Sequence, residues 1–198
     1  MNMKTKKINL GVLVSGNGSN LQALIDHIKD GSLNAEIKVV ISDNIHAYGL
    51  ERAKNSNIPQ FYIEPGPFKT KLSEEAEEKY IECLKKHNVQ LVCLAGFMRI
   101  IKTNFLENFP NRIINIHPSL LPAFPGLSAQ RKALEYGVKF AGCTVHFVNS
   151  EIDNGPIITQ AVVPVLTNDT ENKLRERILK EEHRIYTEAI NSISDKLI

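Results

Sequence analysis

From one end of the chain to the other, short apolar runs bounded by polar turns alternate with segments whose apolar residues recur every three or four positions. Ile8 to Val14 is the first run, long enough for a strand buried on both faces. Leu21, Leu24, Ile25 and Ile28 then share a helical face, with Gly31 as its stop. Ile37 to Ile41 predicts a second strand, Ala47 to Asn55 a short helix, and Ile58 to Ile63 a weaker third strand. Ala76, Tyr80, Cys83, Leu84 and His87 lie on one face of a further helix, ahead of a strong strand at Val89 to Ala95. A short helix near Phe105 to Phe109 precedes a strand at Arg112 to Ile116, a proline-rich loop from Pro118 to Gly126, and a helix from Ser128 to Tyr136 closed by Gly137. Ala141 to Asn149 and Pro156 to Val165 read as two strands joined by a tight acidic loop. The last helix starts near Asn168, with Glu171 as its capping-box partner, and carries Leu174, Ile178, Ile185 and Ala189. Strands alternating with helices fit an α/β fold, a mostly parallel twisted sheet with helices on both faces. No repeat or low-complexity linker interrupts it, so a single domain over residues 1–198, with its core at about 8–190, is expected.

Composition narrows the function classes. A net charge of +2 is too small to argue for nucleic acid, and Lys4, Lys6 and Lys7 read as a solvated, frayed start. Cys83, Cys93 and Cys143 are odd in number and form no CxxC pair, the pattern of reduced, buried thiols in a cytoplasmic protein. No apolar run approaches the roughly 20 residues of a membrane span. The short run at Ile8 to Val14 passes at once into a polar loop and is no signal-peptide core.

In sheets of this kind ligands collect at the carboxyl ends of strands. Ser15-Gly16-Asn17-Gly18-Ser19-Asn20 follows the first strand and opens a helix. Glycines let a ligand approach the main chain, and the helix start offers unpaired N–H groups to an anion. A phosphate pocket is the favoured reading. A dinucleotide site competes, with Asp43 placed to take a ribose, but Leu21 stands where the third fingerprint glycine belongs. A plain turn capped by Ser19 or Asn20 is the bland alternative. A Walker lysine is absent from the loop.

Asn115 and His117, two apart on a strand, point to the same side at its carboxyl end. An amide that can donate to a developing oxyanion and an imidazole that can supply a proton suit acyl transfer. Asp153, in the turn Asp153-Asn154-Gly155-Pro156, would raise the imidazole pKa if it lay beside His117. The bland alternatives are a turn aspartate and a strand-end histidine satisfied by the backbone. A metal is not expected, since His117 lacks a second ligand at suitable spacing and His146 suits a hydrogen-bonding role. His27, His46 and His87 read as solvated.

Four motifs in order resemble the phosphoribosylglycinamide formyltransferase family. They are Ser15-Gly16-Asn17-Gly18-Ser19-Asn20-Leu21, Leu94-Ala95-Gly96-Phe97-Met98-Arg99-Ile100, Asn115-Ile116-His117-Pro118-Ser119-Leu120-Leu121-Pro122, and Asp153-x-Gly155-Pro156. The resemblance implies a Rossmann-like formyltransferase fold and transfer of a formyl group from 10-formyltetrahydrofolate, a co-substrate, to the amine of 5'-phosphoribosylglycinamide in purine biosynthesis. It implies catalytic roles for Asn115, His117 and Asp153, and ribonucleotide contacts at Gly18, Ser19, Asn20, Pro118 and Glu182. It implies folate contacts at Met98, Arg99, Ile100, Ile101, Asn115, Val148, Asn149, Ile152 and Asp153, and supporting positions at Thr144 and His146. Two departures stand out. Ser128 replaces a histidine carried by many members, and Lys71 is the candidate for an arginine that many use on the folate. The partners implied are small molecules, with neither membrane nor nucleic acid, and a monomer or homodimer. The rivals are a formyltetrahydrofolate hydrolase, a methionyl-tRNA formyltransferase, a non-catalytic phosphate-binding module and a nicotinamide oxidoreductase.

Overall fold

The computed structural model describes residues 6–194 and residue 197. Lys4 lies outside these; Lys6 and Lys7 are exposed. The elements run β1 (Ile8–Val14), α1 (Ser19–Lys29), β2 (Ala35–Ser42), α2 (Tyr48–Asn55), β3 (Gln60–Tyr62), α3 (Glu74–Lys86), β4 (Leu91–Leu94), α4 (Thr103–Asn108), β5 (Ile113–His117), α5 (Ala129–Tyr136), β6 (Phe140–Phe147), β7 (Ile157–Pro164) and α6 (Glu171–Ser194). One seven-stranded sheet has the order β3-β2-β1-β4-β5-β6-β7. The pairs from β3 to β5 are parallel, and β5–β6 and β6–β7 are antiparallel.

Strand alternation divides the core. Ile8, Leu10, Val12 and Val14 of β1 face a cluster built with α1, α2, α5 and α6, whereas Leu13 faces α3 and α4. Both faces are therefore covered, as parallel strands require. Gly11 has no room for a side chain, because a Cβ there would lie 2.4 Å from Leu84 Cδ2 of α3. α3 is stopped at its N-terminus by the Ser73 hydroxyl, which accepts from Ala76 N at 3.1 Å.

Four expectations are corrected. The third strand shrinks to Gln60–Tyr62, an exposed edge with one partner. α6 begins two residues past the frame read from sequence. Thr170, not Asn168, caps it, its hydroxyl accepting from Lys173 N at 3.3 Å. The reason is Asp169, whose carboxylate binds Leu166 N and both terminal nitrogens of Arg177, fixing a turn ahead of the helix. Finally, Cys83 is only half-buried, and His27 and His87 are held rather than solvated: His27 meets the Thr187 hydroxyl at 2.6 Å and His87 the Cys83 carbonyl at 2.8 Å.

Tyr186 of α6 is fully buried and donates its hydroxyl to Leu94 O at 3.0 Å, with Ile114 O at 3.4 Å. It ties the C-terminal helix to the two strands whose ends carry the candidate site. Tyr186→Phe is expected to destabilise the fold by about 1–2 kcal/mol, the usual cost of one lost buried hydrogen bond. A lower midpoint in urea at unchanged slope is the expected reading.

Candidate active site

The chain leaves β1 for β2 and β3 on one side and returns to β4 on the other, so a crevice opens at the carboxyl ends of β1 and β4. The segments beyond these ends are stitched together: Ser15 N donates to Gly96 O at 3.1 Å and Met98 N to the Ser15 hydroxyl at 2.8 Å. β5 supplies the next wall. Asn115 pairs with Leu94 on one side and lies opposite His146 on the other, while His117 lies opposite Thr144.

Asp153 completes a cluster. It sits in the β6–β7 turn at φ 51°, a left-handed conformation that aspartate tolerates. Its Oδ2 accepts from Gly126 N at 2.8 Å and lies 3.3 Å from His117 Nδ1. Its Oδ1 accepts from Asn115 Nδ2 at 3.4 Å and lies 3.7 Å from His146 Nε2. His146 Nδ1 faces the Phe147 carbonyl at 2.9 Å, an acceptor, so the ring proton belongs there and Nε2 accepts from Asn115 Nδ2 at 3.2 Å. The Asn115 amide thus divides its two N–H bonds between Asp153 and His146.

The expected upward pull of Asp153 on His117 is present but is outweighed. Burial drives the His117 imidazole below the ordinary histidine value; the Phe124 carbonyl, 3.0 Å from Nε2, and then Asp153 pull it upward without prevailing. With an acceptor at each nitrogen, only the imidazolium satisfies both contacts, so the ring is neutral by burial and ready for a proton by geometry. Burial would raise the Asp153 carboxyl, but the Gly126 amide and His117 hold it below the usual carboxylate range.

The glycine loop lies across the crevice. Gly18, at φ 70°, precedes α1 with no side-chain cap, and Gln22 N is the first helix amide to bind a carbonyl, Gly18 O at 2.9 Å. Asn20 donates to Glu182 Oε2 at 2.8 Å, joining two residues 162 apart, while Asn20 Oδ1 is buried with no protein partner among the described residues. Burial pushes the Glu182 carboxyl up, against the pull of the Asn20 amide. Pro118 is half-buried directly after His117.

The candidate folate residues divide. Met98 and Ile100 are 56% and 39% exposed, leaving apolar surface for a ring, whereas Ile101 is buried. Arg99 turns its side chain away to a clasp: Nε binds Asp43 at 2.6 Å and Nη1 binds the carbonyls of Phe68 and Lys69. Asp43, considered above for a ribose, is thereby engaged and 8% exposed. The backbone of Lys71 bridges to Ile100, but its ammonium lies 4.6 Å above the Phe68 ring. Val148 N donates to Ile113 O at 2.9 Å, the Asn149 side chain accepts from Glu151 N, and Ile152 is 57% exposed. Thr144 supports the proline loop rather than the cluster, donating to Ser119 O and accepting from Leu121 N and Gln160. The Ser128 hydroxyl accepts from Arg131. The Gly126 amide and the Phe124 carbonyl went unseen in the sequence because backbone groups leave no residue signature.

The sequence profile of the formyl transferase family matches residues 8–190. The chain belongs to the formyl transferase family. Among relatives of this formyl transferase, phosphoribosylglycinamide formyltransferase of Escherichia coli (strain K12) is 41% identical over 188 residues, covering 95% of this chain and 88% of that one. The trifunctional purine biosynthetic protein adenosine-3 of Drosophila melanogaster is 44% identical over 190 residues, but the present chain spans only 14% of its length. Glycinamide ribonucleotide transformylase 1 from Symbiobacterium toebii superposes with a TM-score of 0.90 at 53% identity, covering 96% of this chain and 89% of that one. Among the described residues of this formyl transferase, no helix is long and apolar enough to cross a membrane.

Proposed function

We propose that this formyl transferase moves the formyl group of 10-formyltetrahydrofolate to the amine of 5'-phosphoribosylglycinamide. The observation that carries the reading is the convergence of Asn115, His117 and Asp153 beside a crevice whose other wall is a glycine loop opening an uncapped helix. The ribonucleotide phosphate sits at Gly18, Ser19 and Asn20, and its ribose lies on the Glu182 side of the loop. The folate ring lies along Met98, Ile100 and the 148–153 turn.

The amine nitrogen attacks the formyl carbon, a tetrahedral intermediate forms, and the bond from that carbon to the folate nitrogen then breaks. The amine loses one proton and the folate nitrogen gains one. Asn115 turns an N–H from Asp153 towards the oxyanion, and His117, gaining a proton, donates to the same oxygen. Asp153, charged at neutral pH, accepts the proton that the amine sheds and passes it to His117, which gives it up to the departing folate nitrogen. Formyl-folate is consumed as a substrate.

Losing one oxyanion donor costs about 2.7–4 kcal/mol of barrier. Asn115→Ala is therefore expected to lower kcat by roughly a hundredfold or more while the fold survives. The assay mixes protein, ribonucleotide and 10-formyltetrahydrofolate and follows loss of the folate's formyl absorbance. Turnover without the ribonucleotide would mean a hydrolase, and an unimpaired Asn115→Ala enzyme would remove Asn115 from the mechanism.

A further inference from the structure

Across the crevice from the reacting groups, α2 grips the back of the glycine loop. Gly49 N donates to Gly16 O at 3.1 Å. Arg52 Nε donates to Asn17 O at 2.8 Å, Nη2 to Asn17 Oδ1 at 3.0 Å, and Nη1 to Gln22 Oε1 at 3.0 Å. The guanidinium lies 4.8 Å from the centre of the Tyr48 ring. α2 and the loop touch so closely that a Cβ on Gly18 would sit 2.7 Å from Gly49 Cα.

A trans peptide is planar, with its C=O and N–H on opposite sides. Fixing Gly16 O towards α2 sends Asn17 N–H the other way, and fixing Asn17 O towards Arg52 does the same for Gly18 N–H. Those two amides then join the free N–H groups of the α1 start in one concavity. The carbonyls that would repel an anion are turned away, Gly16 O onto the Gly49 amide and Asn17 O onto the Arg52 guanidinium. We propose that Arg52 is a positioning residue for the ribonucleotide phosphate, holding the loop amides in anion-binding orientation. This rests on the phosphate reading of the loop. The fork spans two oxygens of one residue, a geometry that lysine matches only in charge.

The test compares 5'-phosphoribosylglycinamide with its unphosphorylated riboside in wild type, Arg52→Ala and Arg52→Lys. Wild type should prefer the phosphorylated substrate. Arg52→Ala should lose roughly ten- to hundredfold in kcat/KM on it, as expected for charge-assisted bonds. The loss should fall on KM, with kcat within about threefold and the formylfolate KM unchanged. The riboside should be used as well as by wild type, and Arg52→Lys should recover part of the loss. Equal loss on both substrates would make Arg52 a general brace and overturn the proposal. An undiminished phosphate preference in Arg52→Ala would overturn it too, while the loop reading stands. No phosphate preference in wild type would overturn the loop reading itself, and this proposal with it. If Arg52→Ala fails to fold, Arg52→Lys carries the test: a severalfold rise in KM confined to the phosphorylated substrate is expected, and an unchanged KM would overturn the proposal.

Discussion

Asp153→Asn is expected to fold normally and to lose turnover by a factor on the order of 10²–10⁴, the range contributed by positioned acid–base groups. The change is nearly isosteric, and asparagine tolerates the φ of 51° that Asp153 adopts. What it cannot do is accept on both sides. The carboxylate takes Gly126 N on Oδ2 and Asn115 Nδ2 on Oδ1. An amide offers one oxygen, so its NH2 must face one of these donors. The Asn115 amide loses its partner or the proline loop loses its tie. The upward pull of Asp153 on His117 also disappears, so the histidine should titrate at still lower pH. The checks are steady-state kinetics, the thermal midpoint and the NMR titration of the His117 ring. A His117 titration unchanged in the variant would disconnect the two residues.

Gly155→Ala should have the largest effect on stability of any single methyl addition near the site. A Cβ at Gly155 would lie 1.7 Å from the Phe147 carbonyl oxygen and 2.8 Å from its carbon. The obstruction is backbone, which cannot rotate aside. The same carbonyl receives His146 Nδ1, and Phe147 N binds Pro156 O at 2.9 Å. Admitting the methyl means prising open the mouth of the β6–β7 hairpin, carrying Asp153 and His146 out of place. A cost of about 3 kcal/mol or more is expected, with activity lost alongside. Gly16→Ala is the stability control: nothing lies within 4 Å of a Cβ there, and its midpoint in denaturant should barely move. Equal midpoints for the two variants would show that the hairpin mouth yields.

Elements with strong local patterning were legible in the sequence. β1 fell where expected, β4 occupies Leu91–Leu94 inside the apolar run read from Val89 to Ala95, and Gly31 and Gly137 end their helices at φ 84° and 81°. The shared side of Asn115 and His117 was legible from strand alternation, whereas turn chemistry alone left Asp153 a plain turn residue and only the family resemblance joined it to them. What escaped depends on contacts between distant residues. Asn168 looked like the cap of α6 until Asp169 met Arg177, eight residues on. Asp43 read as a free acid because its partner Arg99 is 56 residues away. Arg52 gave no signal, since its target Asn17 lies 35 residues back. The net shift of His117 was not legible because a neighbouring charge can be guessed from motifs, whereas the depth of burial cannot.

The bond from Asn20 to Glu182 spans 162 residues, nearly the whole chain, while the reacting trio is gathered within 38. During synthesis, the two parts of the site therefore mature at different times. The strand and hairpin that carry the trio can pair once β7 has emerged. The glycine loop, made before the trio, must wait for α6, made after it, before Asn20 meets Glu182. On the proposed reading, a nascent chain gathers Asn115, His117 and Asp153 before Glu182 can reach the glycine loop, and the site is assembled only when α6 has docked.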